Sequence, residues 1–166
     1  MFKRCYSEEY LTRKPAYRGC TVCEEWHNFQ NFAKWYDENY YEILNEKMQL
    51  DKDILYKGNK IYSPNNCIFT PQRINELFKI NKSVRGDTYI GVNKNRNING
   101  YKYIAICNNE NGKSTILKYT NDEYDAFLAY KNFKENTIKS IANKYKDKIP
   151  NKLYNAMMNY IVEITD

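Results

Sequence analysis

The fold turns on one stretch: Leu50-Asp51-Lys52-Asp53-Ile54-Leu55, then Lys57-Gly58-Asn59-Lys60-Ile61-Tyr62-Ser63-Pro64-Asn65-Asn66-Cys67-Ile68-Phe69-Thr70-Pro71-Gln72-Arg73-Ile74-Asn75. Residues 50–55 and 60–62 read as two short strands around a loop, with Gly58-Asn59 as the turn signal. Ser63 to Asn66 makes a second turn, and Cys67-Ile68-Phe69 is a short apolar segment. Thr70-Pro71 opens a helix, with Thr as its N-cap and Pro at its first position, and that helix carries Ile74, Leu77 and Phe78. The order is too compact for a nucleotide-binding βαβ unit.

Upstream, Lys14-Pro15 and Gly19 punctuate an irregular or strand-like lead-in over residues 1–22. Thr21 with Glu24 has capping-box spacing, and Trp26, Phe29, Phe32 and Tyr36 recur at helical steps, which predicts a helix over about 23–44. Downstream, the polar run Asn81-Lys82-Ser83 and Arg85-Gly86-Asp87 marks a domain boundary. Three strands follow at Tyr89–Val92, Tyr101–Cys107 and Thr115–Tyr119, with Asn99-Gly100 and Asn111-Gly112 as hairpin signals. Thr120-Asn121-Asp122 caps a helix running through Tyr124, Phe127 and Leu128 into Ile138, Ile141 and Tyr145, and Pro150 starts a last helix.

The chain has 166 residues with a formal net charge of +6, 42% hydrophobic and 28% charged residues. That is ordinary globular composition with core enough for one domain or two small ones. Its longest apolar runs are far short of the roughly 20 residues a membrane span needs, and Met1 to Tyr6 lacks the apolar region of a secretory signal. Five cysteines without such a signal argue against a disulfide framework, so a reduced, cytoplasmic protein is expected. The 17 tyrosines accompany abundant Asn, Lys and Ile, a bias toward A/T-rich codons, and are not by themselves a base-stacking surface. Charge is more informative. Residues 1–80 hold 12 Lys+Arg against 11 Asp+Glu, residues 81–121 hold 7 against 2, and residues 122–166 hold 7 against 7. Nearly all the excess lies in the middle segment, as in a polyanion-binding face or a solvated basic loop region.

Residues 20–78 resemble the ββα-metal core of HNH endonucleases, in particular a phage-encoded branch with a "gnYSpeNC" loop. Cys23-Glu24-Glu25-Trp26 with Phe29 and Phe32 is similar to the helix before that core. The resemblance implies Mg²⁺-assisted phosphodiester hydrolysis in the bacterial host cell, with Asp51 and Asn75 as metal ligands and Asn66 as the loop brace. The general-base position, a His in the family, is Lys52. A lysine near its usual pKa of about 10.4 is a poor base at neutral pH, and a positioned base contributes about 10²–10⁴ in rate. Asp53 is the candidate substitute. The bland alternative is that Asp51 and Asn75 only cap turns. His27 reads as a helix-surface or packing residue. Cys20 and Cys23 form a CxxC, but no second pair completes a zinc site, so structural zinc is not expected, and Cys67 reads as a small packing residue.

Residues 85–133 resemble the apetala-two (ethylene-response-factor, integrase-type) DNA-binding domain through Gly91-Val92, Tyr101–Ala105, Gly112-Lys113, Leu117-Lys118-Tyr119 and Ala126 to Tyr130. That family docks a three-stranded sheet in the major groove of double-stranded DNA. The implied contacts are Lys94, Arg96, Lys102, Tyr103, Lys113 and Lys118. The expected fold class is α+β: an HNH-like domain over 1–80, a sheet packed on a helix over 85–133, and a helical C-terminal extension over 134–166. Two functions follow. One is a DNA-binding protein of the HNH endonuclease type. The other is a non-catalytic interaction protein on a degenerate scaffold, such as a phage regulator or an inhibitor of a host defence complex.

Overall fold

The structure is a computed structural model that describes residues 1–79, 86–95 and 100–166. It is mixed α+β with small sheets, and it divides into two compact units, Met1–Phe78 and Lys79–Asp166. The polar run 81–85, Arg96 and Asn99 lie outside the described residues. Among the described residues no helix is long and apolar enough to cross a membrane.

The first unit opens with two short helices, α1 (Phe2–Tyr6) and α2 (Glu8–Arg13), where an irregular or strand-like lead-in was expected. Ser7 ends the first and caps the second, its hydroxyl accepting from the Tyr10 N–H at 3.4 Å. Cys5 and Leu11 are the residues they bury. Strand β1 (Thr21–Val22) pairs parallel with β3 (Ile61–Tyr62). Thr21 is therefore a strand residue and no capping box forms. The predicted helix over 23–44 shrinks to a tight 3₁₀ turn at Glu24–His27 and α3 (Phe29–Asn39). Its true cap is Asn28, whose side chain accepts from the Gln30 N–H at 2.9 Å. Asn and Asp are strong caps because their short side chains reach the free N–H groups of the first turn, and here Asn28 interrupts an apolar stripe that periodicity alone reads as continuous.

Strand β2 (Met48–Asp51) pairs antiparallel with β4 (Ile68–Pro71), and α4 (Gln72–Leu77) follows directly. The expected pairing of segments 50–55 and 60–62 does not form. The chain leaves the ladder at Asp51, loops through Gly58 at φ 80°, and gives residues 61–62 to β1 instead. Pro71 precedes the helix and Thr70 is a fully buried strand residue, one position out of the expected cap. The core is aromatic: Trp26 and Trp35 lie 4.8 Å apart, Trp35 stacks on Phe69 at 5.5 Å, and Cys5, Cys20 and Cys67 fill around them as free thiols. Burial pushes the Cys67 thiol up to about 12, so it packs as an apolar group.

In the second unit β5 (Val92–Lys94), β6 (Tyr103–Asn108) and β7 (Ser114–Thr120) form an antiparallel sheet in that order. Helix α5 (Glu123–Tyr145) covers one face, begun by Asp122, whose carboxylate accepts from the Tyr124 N–H at 2.9 Å. Val92, Ala105 and Cys107 meet Ala126, Phe127 and Tyr130 there. The turn into β7 is built by Asn109, whose side chain accepts from the N–H groups of Asn111 and Lys113. The segment from 134 onward is not an appended extension. Helix α5 passes through residue 134 without a break, α6 (Asn151–Met158) buries Leu153 and Met157, and Glu135 on α5 accepts from the Val162 N–H at 2.9 Å while Lys131 donates to the Val162 carbonyl at 2.7 Å.

Gly91 holds φ 73°, and a Cβ there would sit 2.0 Å from the Tyr130 ring. Gly112 has a similar φ of 76° with nothing within 4 Å. Gly91→Ala should therefore combine left-handed strain with overpacking and cost roughly 2–4 kcal/mol. Gly112→Ala should carry only the strain, about 1–2 kcal/mol. Urea unfolding of the two variants checks the difference, and equal losses would contradict it.

Candidate functional site

The loop between β2 and β3 is organised by its own polar groups. Asp51 sits at the last position of β2 and turns its carboxylate back over the chain, so that Oδ1 accepts from the N–H groups of Asp53 at 2.8 Å and Ile54 at 2.7 Å. This Asx turn ends the strand. Burial and the neighbouring Asp53 charge push the Asp51 carboxyl up to about 6, against the opposing pull of the two backbone hydrogen bonds. Shifted carboxyl groups are found both at functional sites and in structural networks.

Lys52 runs inward and is 8% exposed. Its Nζ donates to Asp53 Oδ2 at 2.9 Å and to the Asn59 carbonyl at 3.1 Å, 6.0 Å from the Tyr62 ring centroid. Burial favours the neutral amine, but the hydrogen bond and charge of Asp53 outweigh it, and Lys52 titrates above the ordinary lysine range. The ammonium holds its proton at any physiological pH. Asp53 is exposed, and its carboxylate serves as the partner of Lys52.

Asn59 is the hub. Its Nδ2 donates to the carbonyls of Lys52 at 2.6 Å and Ile61 at 2.8 Å, and its Oδ1 accepts from the Ile61 N–H at 3.2 Å and from Asn66 Nδ2 at 3.1 Å. Asn66 thus braces the loop by holding Asn59. Asn59 was legible only as a turn residue. The signal that it does more is that an Asn beside a left-handed Gly can satisfy both a donor and an acceptor of the backbone it faces.

Asn75 on α4 donates to Gln49 Oε1 at 2.8 Å. Gln49 and Asp51 are two apart on β2 and share a face, so α4 and β2 bring Asn75 to the side of the sheet that carries Asp51. A desolvated carboxylate and an amide oxygen are hard donors of the kind Mg²⁺ accepts, and Mg²⁺ takes few protein ligands because it retains waters. The donor types of Asp51 and Asn75 are those such an ion takes, with Asp51 Oδ1 already accepting from two backbone N–H groups. Among the described residues no group of three or more His, Cys, Asp or Glu side chains is placed to hold a metal. His27 is exposed and lies edge-on to Phe2 at 5.3 Å, on the 3₁₀ turn rather than on a helix face.

The basic residues of the second unit are not gathered on one side of the sheet. Cross-strand register puts Val92, Ala105 and Cys107 toward α5, and Lys94 and Lys118 alternate with that same side. Lys118 Nζ donates to Asp125 Oδ1 of α5 at 2.7 Å, and the pair holds the Asp125 carboxyl below its ordinary range. Tyr103 packs at the margin of the core. Lys94, Lys102 and Lys113 are exposed, Lys102 just before β6 and Lys113 in the β6–β7 turn.

The chain matches no family model, and no curated protein and no solved structure is significantly similar to it.

The raised Asp51 pKa carries a stability consequence. The folded state holds the proton more tightly than the unfolded chain, so the stabilisation is full below about pH 4 and is lost as pH rises through about 6. Asp51→Asn keeps the oxygen that accepts from the two N–H groups and removes the charge. In chelator, its melting temperature should exceed that of the native chain at pH 7.5 and match it near pH 4. Equal stabilities at both pH values would show that Asp51 titrates normally.

Proposed function

We propose that this chain is a DNA-binding protein on an HNH-like ββα scaffold whose hydrolytic step is crippled. The observation that carries the second part is the Lys52 ammonium, buried, hydrogen-bonded to Asp53 and the Asn59 carbonyl, and titrating high. A general base must have a free lone pair near neutral pH, and the residue at the base position has none. Asp53 cannot substitute while it neutralises Lys52, since freeing its carboxylate would leave a buried cation without its partner. The antiparallel β2–β4 pair followed by α4, with Asn66 bracing the loop, supports the scaffold reading.

Mg²⁺ on this reading would be held by Asp51 and Asn75 and would neutralise charge on a bound phosphate. The chain's own residues bind and orient: Asp51 presents its remaining oxygen, and the Lys52–Asn59 network keeps the loop shape constant. DNA affinity is supported by the excess of 7 Lys+Arg over 2 Asp+Glu in residues 81–121 and by the exposed Lys94, Lys102 and Lys113. Such an excess draws a polyanion by releasing its counterions.

Supercoiled plasmid incubated with Mg²⁺ or Mn²⁺ should be bound without being nicked above the level of Asp51→Ala. Metal-dependent nicking that Asp51→Ala abolishes would overturn the hydrolytic part of the proposal. Binding should weaken with salt, and replacing Lys94, Lys102 and Lys113 by Gln should flatten the log–log slope by up to about 3. A chain that neither binds nor cleaves DNA would leave the interaction-protein reading in its place.

A further inference from the structure

The sheet of the second unit has a side that α5 does not cover. Register assigns that side residue by residue. Ile104 pairs with Tyr119, Ile106 with Ile116, and Asn93 with Ile104, all opposite to the Val92–Ala105 pair that faces the helix. A bulge between Ala105 and Ile106 gives β7 one extra residue, Leu117, which turns to the core, so that Ile116 and Tyr119 face the same way despite odd spacing. Tyr101, ahead of β6, stands with its ring centroid 6.2 Å from that of Tyr119. Tyr101, Ile116 and Tyr119 are 46%, 51% and 46% exposed.

Two exposed rings over an aliphatic floor form a contiguous apolar surface, which a soluble domain rarely leaves unused. Charge decides what fits it. Lys102 and Lys113 lie at its edges without ion pairs among the described residues. The acids of the same segment are Asp87, outside the strands, and Glu110, which is paired with Lys144 of α5. A second copy docked face to face would set lysines against lysines. Nucleic acid complements both features, since the lysines take phosphates and every base has a face that stacks on an aromatic ring. Duplex DNA is the poorer match. Its base faces are already stacked, and reading its groove edges needs forked donors such as Arg, Asn or Gln. Of these the outward strand positions among the described residues offer Asn93 and Asn108 and no Arg. Isoleucine and tyrosine gain most from bases that are unpaired and turned outward.

We propose that the outward side of the β5–β6–β7 sheet binds unpaired nucleic-acid bases, with Tyr101 and Tyr119 as stacking rings, Ile104, Ile106 and Ile116 as the floor, and Lys102 and Lys113 on the phosphates. This rests on the nucleic-acid reading above and narrows it from intact duplex to single-stranded or distorted sites.

The test measures fluorescence anisotropy of a labelled single-stranded oligonucleotide and of a duplex of equal length, at one fixed salt concentration. The native chain should bind the single strand more tightly. Tyr101→Leu with Tyr119→Leu, which keeps the surface apolar but removes both rings, should weaken single-strand binding roughly 10–100-fold and leave the duplex affinity and the salt slope unchanged. Tyr101→Phe with Tyr119→Phe should restore it. Should the Leu pair melt early, Ile116→Glu decides instead, because the site is half exposed and a carboxylate there repels phosphate without unpacking the core. Tighter duplex binding, indifferent to all these variants, would overturn the inference while leaving DNA binding intact. No binding to either oligonucleotide would remove the nucleic-acid reading and this inference together. A concentration-dependent dimer broken by Ile116→Glu, with single-strand affinity unchanged, would assign the surface to a second copy and overturn the proposal.

Discussion

A buried ammonium sets the constraint on which the first unit is built. Lys52 is almost wholly withdrawn from water, and such a charge is tolerated only where its protons are hydrogen-bonded and its sign is matched. Asp53 supplies the charge and the Asn59 carbonyl supplies an acceptor. Asn59 in turn is fixed by Asn66 and by the backbone on both sides of the loop. Removing any one member leaves another polar group stranded, so the network behaves as a unit. It explains why the chain leaves β2 at Asp51 and why Ile61–Tyr62 are delivered to β1 rather than back to β2.

The second unit depends on close approach instead. Gly91 lets the start of β5 lie against the Tyr130 ring, and Ala105 and Ala126, both without exposed surface, let the sheet and helix meet closely. Interiors pack at crystal density, so small residues at such contacts fix spacing as firmly as large ones fill it. Lys131 and Glu135 then hold the segment around Val162 along α5.

Local signals were legible where one residue type has one dominant use. Asp122 as a cap, Gly112 in a left-handed turn, Pro150 ahead of α6, and the second and third strands of the second sheet follow from such signals, whereas the first strand begins only at Val92, the last residue of the stretch expected to form it. The signals failed where partners are distant in sequence. Nothing local says that Thr21-Val22 pairs with Ile61-Tyr62, and strand pairing across about 40 residues is fixed only by the shared core. The 23–44 helix was overextended because an apolar stripe does not record the break that Asn28 imposes. At the candidate site, Asp51, Lys52 and Asn66 were singled out from their spacing, but the inward course of Lys52 and the central place of Asn59 depend on burial, which the sequence does not carry. The outward tyrosines were discounted with the rest of an A/T-biased composition, and a bulge that re-aims two of the residues beside them leaves no local trace.

The fastening of Val162 to α5 has a bearing on how the chain is made. Synthesis proceeds from the N-terminus, and domains tend to fold as each is completed. Every strand of the first unit has been translated once Pro71 is added, and α4 ends six residues later at Leu77. The second unit cannot close its core until Val162 is free to reach Lys131 and Glu135. Until then the sheet's aliphatic residues and the long helix α5 wait together, partly uncovered. A chaperone that recognises exposed isoleucine and tyrosine would find its target in that interval.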